Sequence, residues 1–291
     1  MKNIKKYLSL ALIFALSLVL VACGAGGSDS SASGDQANSG TDNSLQAVKD
    51  RDVLRVAVWG DLKPYSWVDE NGNYQGYAVQ LSRKMAQDLL GDPDKVEFVT
   101  VNAEERVESL NADRVDVVMA TFTKTPEREE VVDFADPYMK VAIGLASPKD
   151  APISSADQLA GKKIILNKGT TAEVLFTEEY PDAELEKYES KHQQFQALAD
   201  GRGDGLVDDN SYLFPWVKEN PDFVVSIKEL GPVQTNNPAV KKGNTSLLNW
   251  INETYAQYSK DGVFKDLYDQ ELAPFFGEGV TEQDILLDEQ L

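Results

Sequence analysis

Short apolar segments alternate with helical patterns over most of this chain, and this alternation limits the folds that it can adopt. Residues 53–58 are a nearly continuous aliphatic run, which is typical of a buried strand, and residues 96–101 are predicted as a second strand. Between them, residues 78–89 carry apolar side chains at helical spacing, and Gly91 ends that pattern. A third predicted strand covers residues 115–120. Strands and helices in this order predict parallel pairing and a three-layer α/β sandwich.

The same alternation is repeated in the second half of the chain. Predicted strands cover residues 163–166, 205–207, 224–225 and 238–240, and predicted helices cover 170–180, 195–199, 210–218 and 246–260. Two units of similar size suggest two lobes. Because open α/β sheets bind ligands outside the carboxyl ends of their strands, two facing lobes predict a cleft between them.

The amino terminus has the pattern of a secretion signal that ends at the one cysteine of the chain. Three lysines precede an apolar run at residues 8–22, which is too short to span a bilayer comfortably. Residues 20–23, Leu-Val-Ala-Cys, resemble a bacterial lipobox. We predict a signal peptide over residues 1–22 and a diacylglyceryl anchor on Cys23; a signal peptide with a chance cysteine is the alternative. Residues 23–44 are small and polar and predict a flexible tether.

The charge of the chain argues against nucleic acid as a partner. The formal charge is −20, and removal of residues 1–22 takes away three lysines and leaves −23. Such a surface repels phosphate backbones and anionic lipid, so membrane attachment must come from the lipid anchor. We therefore expect an extracytoplasmic protein held at a bacterial cell membrane.

The residues needed by common enzymes are missing. His192 is the single histidine and lies in a polar run, and neither a GxSxG elbow nor a Walker A loop occurs. Clusters of histidine and cysteine that would bind zinc are also missing. We expect no catalytic residue, no cofactor and no metal. We also expect an exposed position for His192; a position that lines the cleft is the alternative.

Residues 120–128, Ala-Thr-Phe-Thr-Lys-Thr-Pro-Glu-Arg, follow a predicted strand and therefore lie where a cleft would be. The threonine hydroxyls and free backbone amides can form hydrogen bonds there, and the planar fork of Arg128 fits a carboxylate. A loop with an ordinary surface pair of arginine and glutamate is the alternative.

This segment and residues 132–138, Val-Asp-Phe-Ala-Asp-Pro-Tyr, resemble the signature of the family 3 extracellular solute-binding proteins. Residues 72–77, 167–171 and 203–210 match further segments of that family. The resemblance implies an amino-acid receptor of a bacterial ABC importer, with a permease as its partner. It also implies the two-lobed periplasmic-binding-protein-like fold of type II, with two hinge crossovers.

The resemblance also assigns roles to individual residues. Arg128 would bind the α-carboxylate of an amino acid, Thr121 and Thr123 would contact its backbone, and Asp209 would pair with its α-ammonium. Thr170 and Thr171 lie at a predicted helix start, where free amides favour an anion.

Aromatic residues of the first loop are candidates for the walls of the side-chain pocket. Trp59, Tyr65 and Trp67 are in this position, and core packing is their alternative, more so for Trp67 than for Trp59.

Within the family, the chain is most similar to the cysteine-binding subgroup, through residues 137–142, 166–172, 216–223 and 272–277. It departs from that subgroup at Thr121, Ala78, residues 207–208 and residues 236–238.

Asp208 beside Asp209 adds a second acid near the predicted ammonium site, and two interpretations of this acid remain open. Either the cleft prefers a cationic or modified amino acid, or Asp208 points to solvent or pairs with a nearby lysine.

The predicted division of the chain places lobe 1 at 45–145 plus 237–291 and lobe 2 at 146–236. The crossovers are predicted near residues 146–151 and 234–238. A sensory or surface-adhesion module on the same ligand-binding fold, without transport, is the alternative function. No assembly signal occurs, and we expect a monomer.

Overall fold

The computed structural model describes residues 42–291. The predicted signal peptide, Cys23 and the predicted tether up to residue 41 lie outside the described residues. No helix in the described part of the chain is long and apolar enough to cross a membrane.

The strands of this region, in chain order, are β1 (Leu54–Val58), β2 (Asp61–Leu62), β3 (Ser66–Val68), β4 (Tyr74–Gln75), β5 (Val96–Thr100), β6 (Val117–Val118), β7 (Val132–Phe134), β8 (Met139–Pro148), β9 (Lys163–Asn167), β10 (Glu184–Tyr188), β11 (Gly205–Asp209), β12 (Phe223–Asn236) and β13 (Ala239–Lys241). The α-helices are α1 (Ser44–Arg51), α2 (Tyr77–Leu90), α3 (Glu105–Asn111), α4 (Pro126–Glu129), α5 (Thr171–Glu179), α6 (Lys191–Ala199), α7 (Asn210–Glu219), α8 (Thr245–Asp261), α9 (Val263–Leu267) and α10 (Glu282–Ile285).

Two five-stranded sheets have the same plan. The first has the order β5-β1-β6-β13-β7 and the second the order β10-β9-β11-β8-β12. In each sheet the first three strands are parallel, and the next strand is antiparallel to both of its neighbours. We call the sheets, with the helices packed on them, the first and second lobes. The predicted two-lobed α/β fold is confirmed, and a small antiparallel sheet, β2-β3-β4, is added to it.

Several predicted elements agree with the structure because local signals define them. The helix predicted over 78–89 is α2, and Gly91 ends it with a left-handed φ of 79° that suits glycine. The helix predicted over 170–180 is α5, whose start is capped by the Thr170 side chain accepting from the backbone N–H of Glu173. The strand predicted over 115–120 is shorter, since only Val117 and Val118 pair with β1.

The antiparallel strands are the part that the alternation rule does not predict. Parallel pairing holds for three strands of each sheet, but β8 and β12 form a long antiparallel pair that continues from one lobe to the other. The predicted strand at 224–225 is the beginning of β12, whose fourteen residues follow β8 through several register shifts.

The pair β8–β12 connects the two lobes. Met139 and Val141 of β8 pack in the core of the first lobe, whereas Ile143 and Leu145 pack in the core of the second. The side chains of β8 therefore pass from the core of the first lobe to the core of the second between residues 141 and 143. The pairing of β8 with β12 continues across this point, from Met139 onward. The predicted boundary at 145/146 stays a proposal, and we place the first crossover slightly earlier, within β8.

Candidate functional site

The carboxyl ends of the parallel strands of both lobes meet at one cavity. Trp59 follows β1, Thr121 and Thr123 follow β6, Thr170 and Thr171 follow β9, and Asp208 and Asp209 end β11. The residues that line the cavity are Trp59, Arg106, Thr121, Thr123, Arg128, Thr170, Thr171, Lys191, Asp208, Asp209 and Tyr212. Eight of the nine predicted binding residues are in this set, and Tyr65 is not.

One end of the cavity is cationic. Arg128 lies in α4, whose first turn is fixed by Thr125 as its cap and by Pro126. Its guanidinium donates to the carbonyl oxygens of Thr123 at 2.7 Å and Gly169 at 3.1 Å. Burial lowers the pKa of Arg128 to about 10. Since a guanidinium stays protonated in proteins, this shift indicates a charge that an anion would stabilise.

Arg106, on α3, is a second guanidinium at the same end. It is 3% exposed, and it donates to the carbonyl oxygens of Ala103, Ala120, Thr121 and Gly169 at 2.9 to 3.3 Å. Burial, and then the charge of Arg128, lower the pKa of Arg106 to about 9. Within residues 42–291, neither arginine pairs with a carboxylate. The sequence interpretation missed Arg106; an arginine in the first turn of the helix after β5 was the available signal.

Thr121 has a backbone conformation that a β-branched residue seldom adopts. Its φ is 44°, in the left-handed region. Its carbonyl oxygen accepts from Arg106, and its hydroxyl accepts from Nε1 of Trp59 at 2.7 Å. Strain of this kind is held in place by the surrounding contacts and often occurs at functional sites.

The other end of the cavity is anionic. Asp209 is 7% exposed, and its carboxylate accepts one long hydrogen bond of 3.5 Å from the amide of Asn236. Burial, and then the charge of Asp208, raise the pKa of Asp209 to about 6, although the charge of Lys191 and hydrogen bonds from Tyr212 and Asn236 act in the opposite direction. Asp209 forms no ion pair with a lysine or arginine of the described residues, so a cation at this position would stabilise it.

Asp208 is not a free second acid. Its carboxylate accepts from Nζ of Lys191 at 2.6 Å, from the Gln194 amide, and from the backbone N–H of Asp209 at 2.9 Å. Lys191 is 1% exposed, and its ammonium lies 5.1 Å and 5.2 Å from the ring centres of Trp59 and Tyr212. The reading in which Asp208 pairs with a lysine is the one that the structure shows, and the basis for a cationic ligand is removed.

Lys191 and Tyr212 were not identified from the sequence. Two adjacent acids at the end of a buried strand were the available signal for a buried cation. They did not indicate which of the lysines would provide it.

The aromatic candidates differ in position. Trp59 lines the cavity and is 2% exposed. Tyr65 is fully buried and packs against Tyr212, which lines the cavity. The Tyr65 hydroxyl donates to the carbonyl oxygen of Ser211, in the second lobe, at 3.0 Å. Trp67 packs edge-on against Phe275, away from the cavity.

His192 is exposed, as expected, and lies outside the site. Its backbone N–H donates to Asp61 of the first lobe at 3.0 Å. It borders a separate cavity of about 250 Å³ between the lobes. Among residues 42–291 there is no cluster of three or more His, Cys, Asp or Glu side chains that could hold a metal ion.

The lobes approach closely at the site. The space that its residues enclose is about 10 Å³, close to the volume of one water position. Gly169 and Ser211 of the second lobe both receive hydrogen bonds from side chains of the first lobe. An amino acid could therefore enter only if the lobes moved apart, and the arrangement is suited to enclosing a small zwitterion between them.

The chain is similar to known binding proteins along most of its length. A family model described as "Bacterial extracellular solute-binding proteins, family 3" matches residues 54–273. The glutamine-binding protein GlnH of a Bacillus subtilis (strain 168) ABC transporter is 32% identical over 270 residues, which is 91% of this chain and 96% of that protein.

Two solved structures are more similar in sequence. A solute receptor for L-cysteine of Neisseria gonorrhoeae is 48% identical, with a TM-score of 0.82, over 84% of this chain and 99% of that one. A cysteine-binding protein from Campylobacter jejuni is 45% identical, with a TM-score of 0.82, over 84% of this chain and 98% of that one.

Proposed function

Because the chain belongs to family 3 of the bacterial extracellular solute-binding proteins, we propose that it is the amino-acid receptor of an ABC importer. One observation carries the proposal. Arg128 without an anionic partner and Asp209 without a cationic partner line the same cavity between two lobes. An α-amino acid carries both missing charges, so each charge that leaves water finds a partner.

Each end of the ligand has defined contacts in this proposal. The α-carboxylate is bound by Arg128 and by the free amides at the start of α5, around Thr170 and Thr171. The α-ammonium is bound by Asp209, and Thr121 and Thr123 complete the contacts with the ligand backbone. Trp59 forms one wall of the side-chain pocket.

L-Cysteine is the first ligand to test, because the two receptors that are 48% and 45% identical are cysteine receptors by name. The glutamine-binding relative, which is 32% identical, makes L-glutamine the second. The relatives are binding proteins, and we infer that this chain is not an enzyme.

Attachment and assembly complete the proposal. We infer cleavage after residue 22, a lipid on Cys23 and action as a monomer outside the cytoplasm. Replacement of Cys23 by serine should release the protein from the membrane fraction into the medium. The importer, rather than a sensory or adhesive role, is favoured by the transport proteins among the relatives.

A panel of the twenty amino acids and cystine, screened by thermal unfolding, tests the proposal. A ligand at about 100 times its dissociation constant adds about 2.7 kcal/mol of stability. For a domain of this size this corresponds to a rise in melting temperature of about 5–10 °C. No shift with any amino acid would contradict the proposal.

A further inference from the structure

The cleft holds more positive than negative charge, although the whole chain is strongly acidic. Its lining contains three cations, Arg106, Arg128 and Lys191, and two carboxylates, Asp208 and Asp209. The formal surplus is therefore one positive charge, within a chain whose formal charge is −20.

The charges of Lys191 and Asp208 neutralise each other before any ligand is bound. Their side chains are 1% and 3% exposed and 2.6 Å apart. Asp208 is also held by Gln194 and by the backbone of Asp209, so its position is fixed. The pair orients the Lys191 ammonium within the cavity lining, between the rings of Trp59 and Tyr212.

The backbone of a bound amino acid would use two of the remaining charges. If the proposed function is correct, the α-carboxylate matches Arg128 and the α-ammonium matches Asp209. Arg106 is then left as a buried guanidinium with carbonyl acceptors and no anion. A buried cation without an anion is unfavourable. A ligand side chain that supplies an anion near Arg106 should therefore bind more tightly than a neutral side chain.

We propose that the cleft selects an α-amino acid whose short side chain is anionic when bound, either a carboxylate or a thiolate, and that Lys191 and Arg106 face that group. This inference rests on the proposed function. In the thiolate case the proton of the thiol is released to solvent on binding, since a free thiol has an ordinary pKa near 8.5. In the carboxylate case no proton is exchanged by the side chain.

Calorimetry of the full-length protein in detergent micelles at pH 7.5 provides the test. The ligands are three pairs of similar shape: aspartate and asparagine, glutamate and glutamine, and cysteine and serine. In the best-binding pair we expect the acidic member to bind at least about tenfold more tightly, since one buried charged hydrogen bond contributes about this much. If that ligand is cysteine, buffers of different ionisation enthalpy should show the release of about one proton per molecule bound.

Two variants change the charge of the cleft in opposite directions. Lys191→Met should lower the affinity ratio within the best pair by about tenfold, and Asp208→Asn, which frees the Lys191 ammonium, should raise it. Lys163→Met, at the exposed first residue of β9, makes the same change in total charge as Lys191→Met and should leave the ratio unaltered. Because each ratio is measured within one variant, a general loss of stability cancels; if Lys191→Met does not fold, Asp208→Asn alone decides.

The possible failures are distinguishable. If no amino acid binds, the proposed function is wrong and this inference falls with it. If amino acids bind, the inference alone is overturned by any of three results: tightest binding of a neutral or a cationic amino acid, cysteine as the tightest ligand but bound without proton release, or variants that leave the ratio unchanged.

Discussion

Gly169 lies where the two lobes meet, and its replacement by alanine is a direct test of closure around the ligand. Its carbonyl oxygen accepts from Arg106 at 3.0 Å and from Arg128 at 3.1 Å. A Cβ atom at this position would lie 2.9 Å from Cγ and 3.1 Å from the backbone N of Glu104, in the first lobe. Because part of this obstacle is backbone, the lobes could not reach the same closed position.

Two costs of Gly169→Ala can be separated. The φ of 72° is left-handed, and a residue with a Cβ pays about 1 kcal/mol for it in open and closed forms alike. The contact with Glu104 exists only when the lobes meet, and overpacking of this kind costs about 1–3 kcal/mol. The second cost falls on binding, so the affinity for the ligand should drop by about 5-fold to 150-fold.

Gly161→Ala is a matched control for this experiment. Gly161 has the same φ of 72°, and a Cβ atom there would have no heavy atom within 4 Å beyond its chain neighbours. Both variants should lose similar stability in urea, but calorimetry should show weaker binding for Gly169→Ala alone. Small-angle X-ray scattering with saturating ligand should also show less compaction for that variant. Wild-type affinity together with wild-type compaction in Gly169→Ala would refute the reasoning.

Three further predictions concern the ends of the cleft and the contact beneath it. Arg128→Ala should weaken ligand binding by about 3 kcal/mol in calorimetry, because a buried carboxylate loses its partner; unchanged affinity would exclude the assigned role. Burial raises the pKa of Asp209 to about 6, so affinity should fall about tenfold per pH unit below 6, and Asp209→Asn should lack this step. The pKa of Asp209 is also higher in the ligand-free fold than in the unfolded chain, so protonation of Asp209 stabilises the fold at low pH. This stabilisation is lost as the pH rises through 6. Tyr65→Phe removes the hydrogen bond to Ser211 and should weaken binding about fivefold, with near-normal unfolding in urea; an effect on unfolding alone would assign Tyr65 to packing.

Much of the fold follows from local patterns. The helices α2, α5, α7 and α8 begin and end close to their predicted positions, because apolar spacing, capping residues and glycine act within a few residues of each other. The long pair β8–β12 was not predicted, since it pairs residues that are 75 to 97 positions apart in the chain. No local pattern reports such a partner.

The sequence alone determined the α/β order and the segments that carry the candidate binding residues. The position of residues 120–128 after a predicted strand made Arg128 a candidate, and the resemblance to the solute-binding family assigned the roles of Arg128 and Asp209. The tertiary structure alone decided how the charges are matched. Whether Asp208 is a free acid depends on Lys191, 17 residues earlier, and the surplus charge depends on Arg106, which meets Gly169 from 63 positions away. Electrostatic balance is a property of distances in space, and folding sets those distances by bringing two separate lobes together.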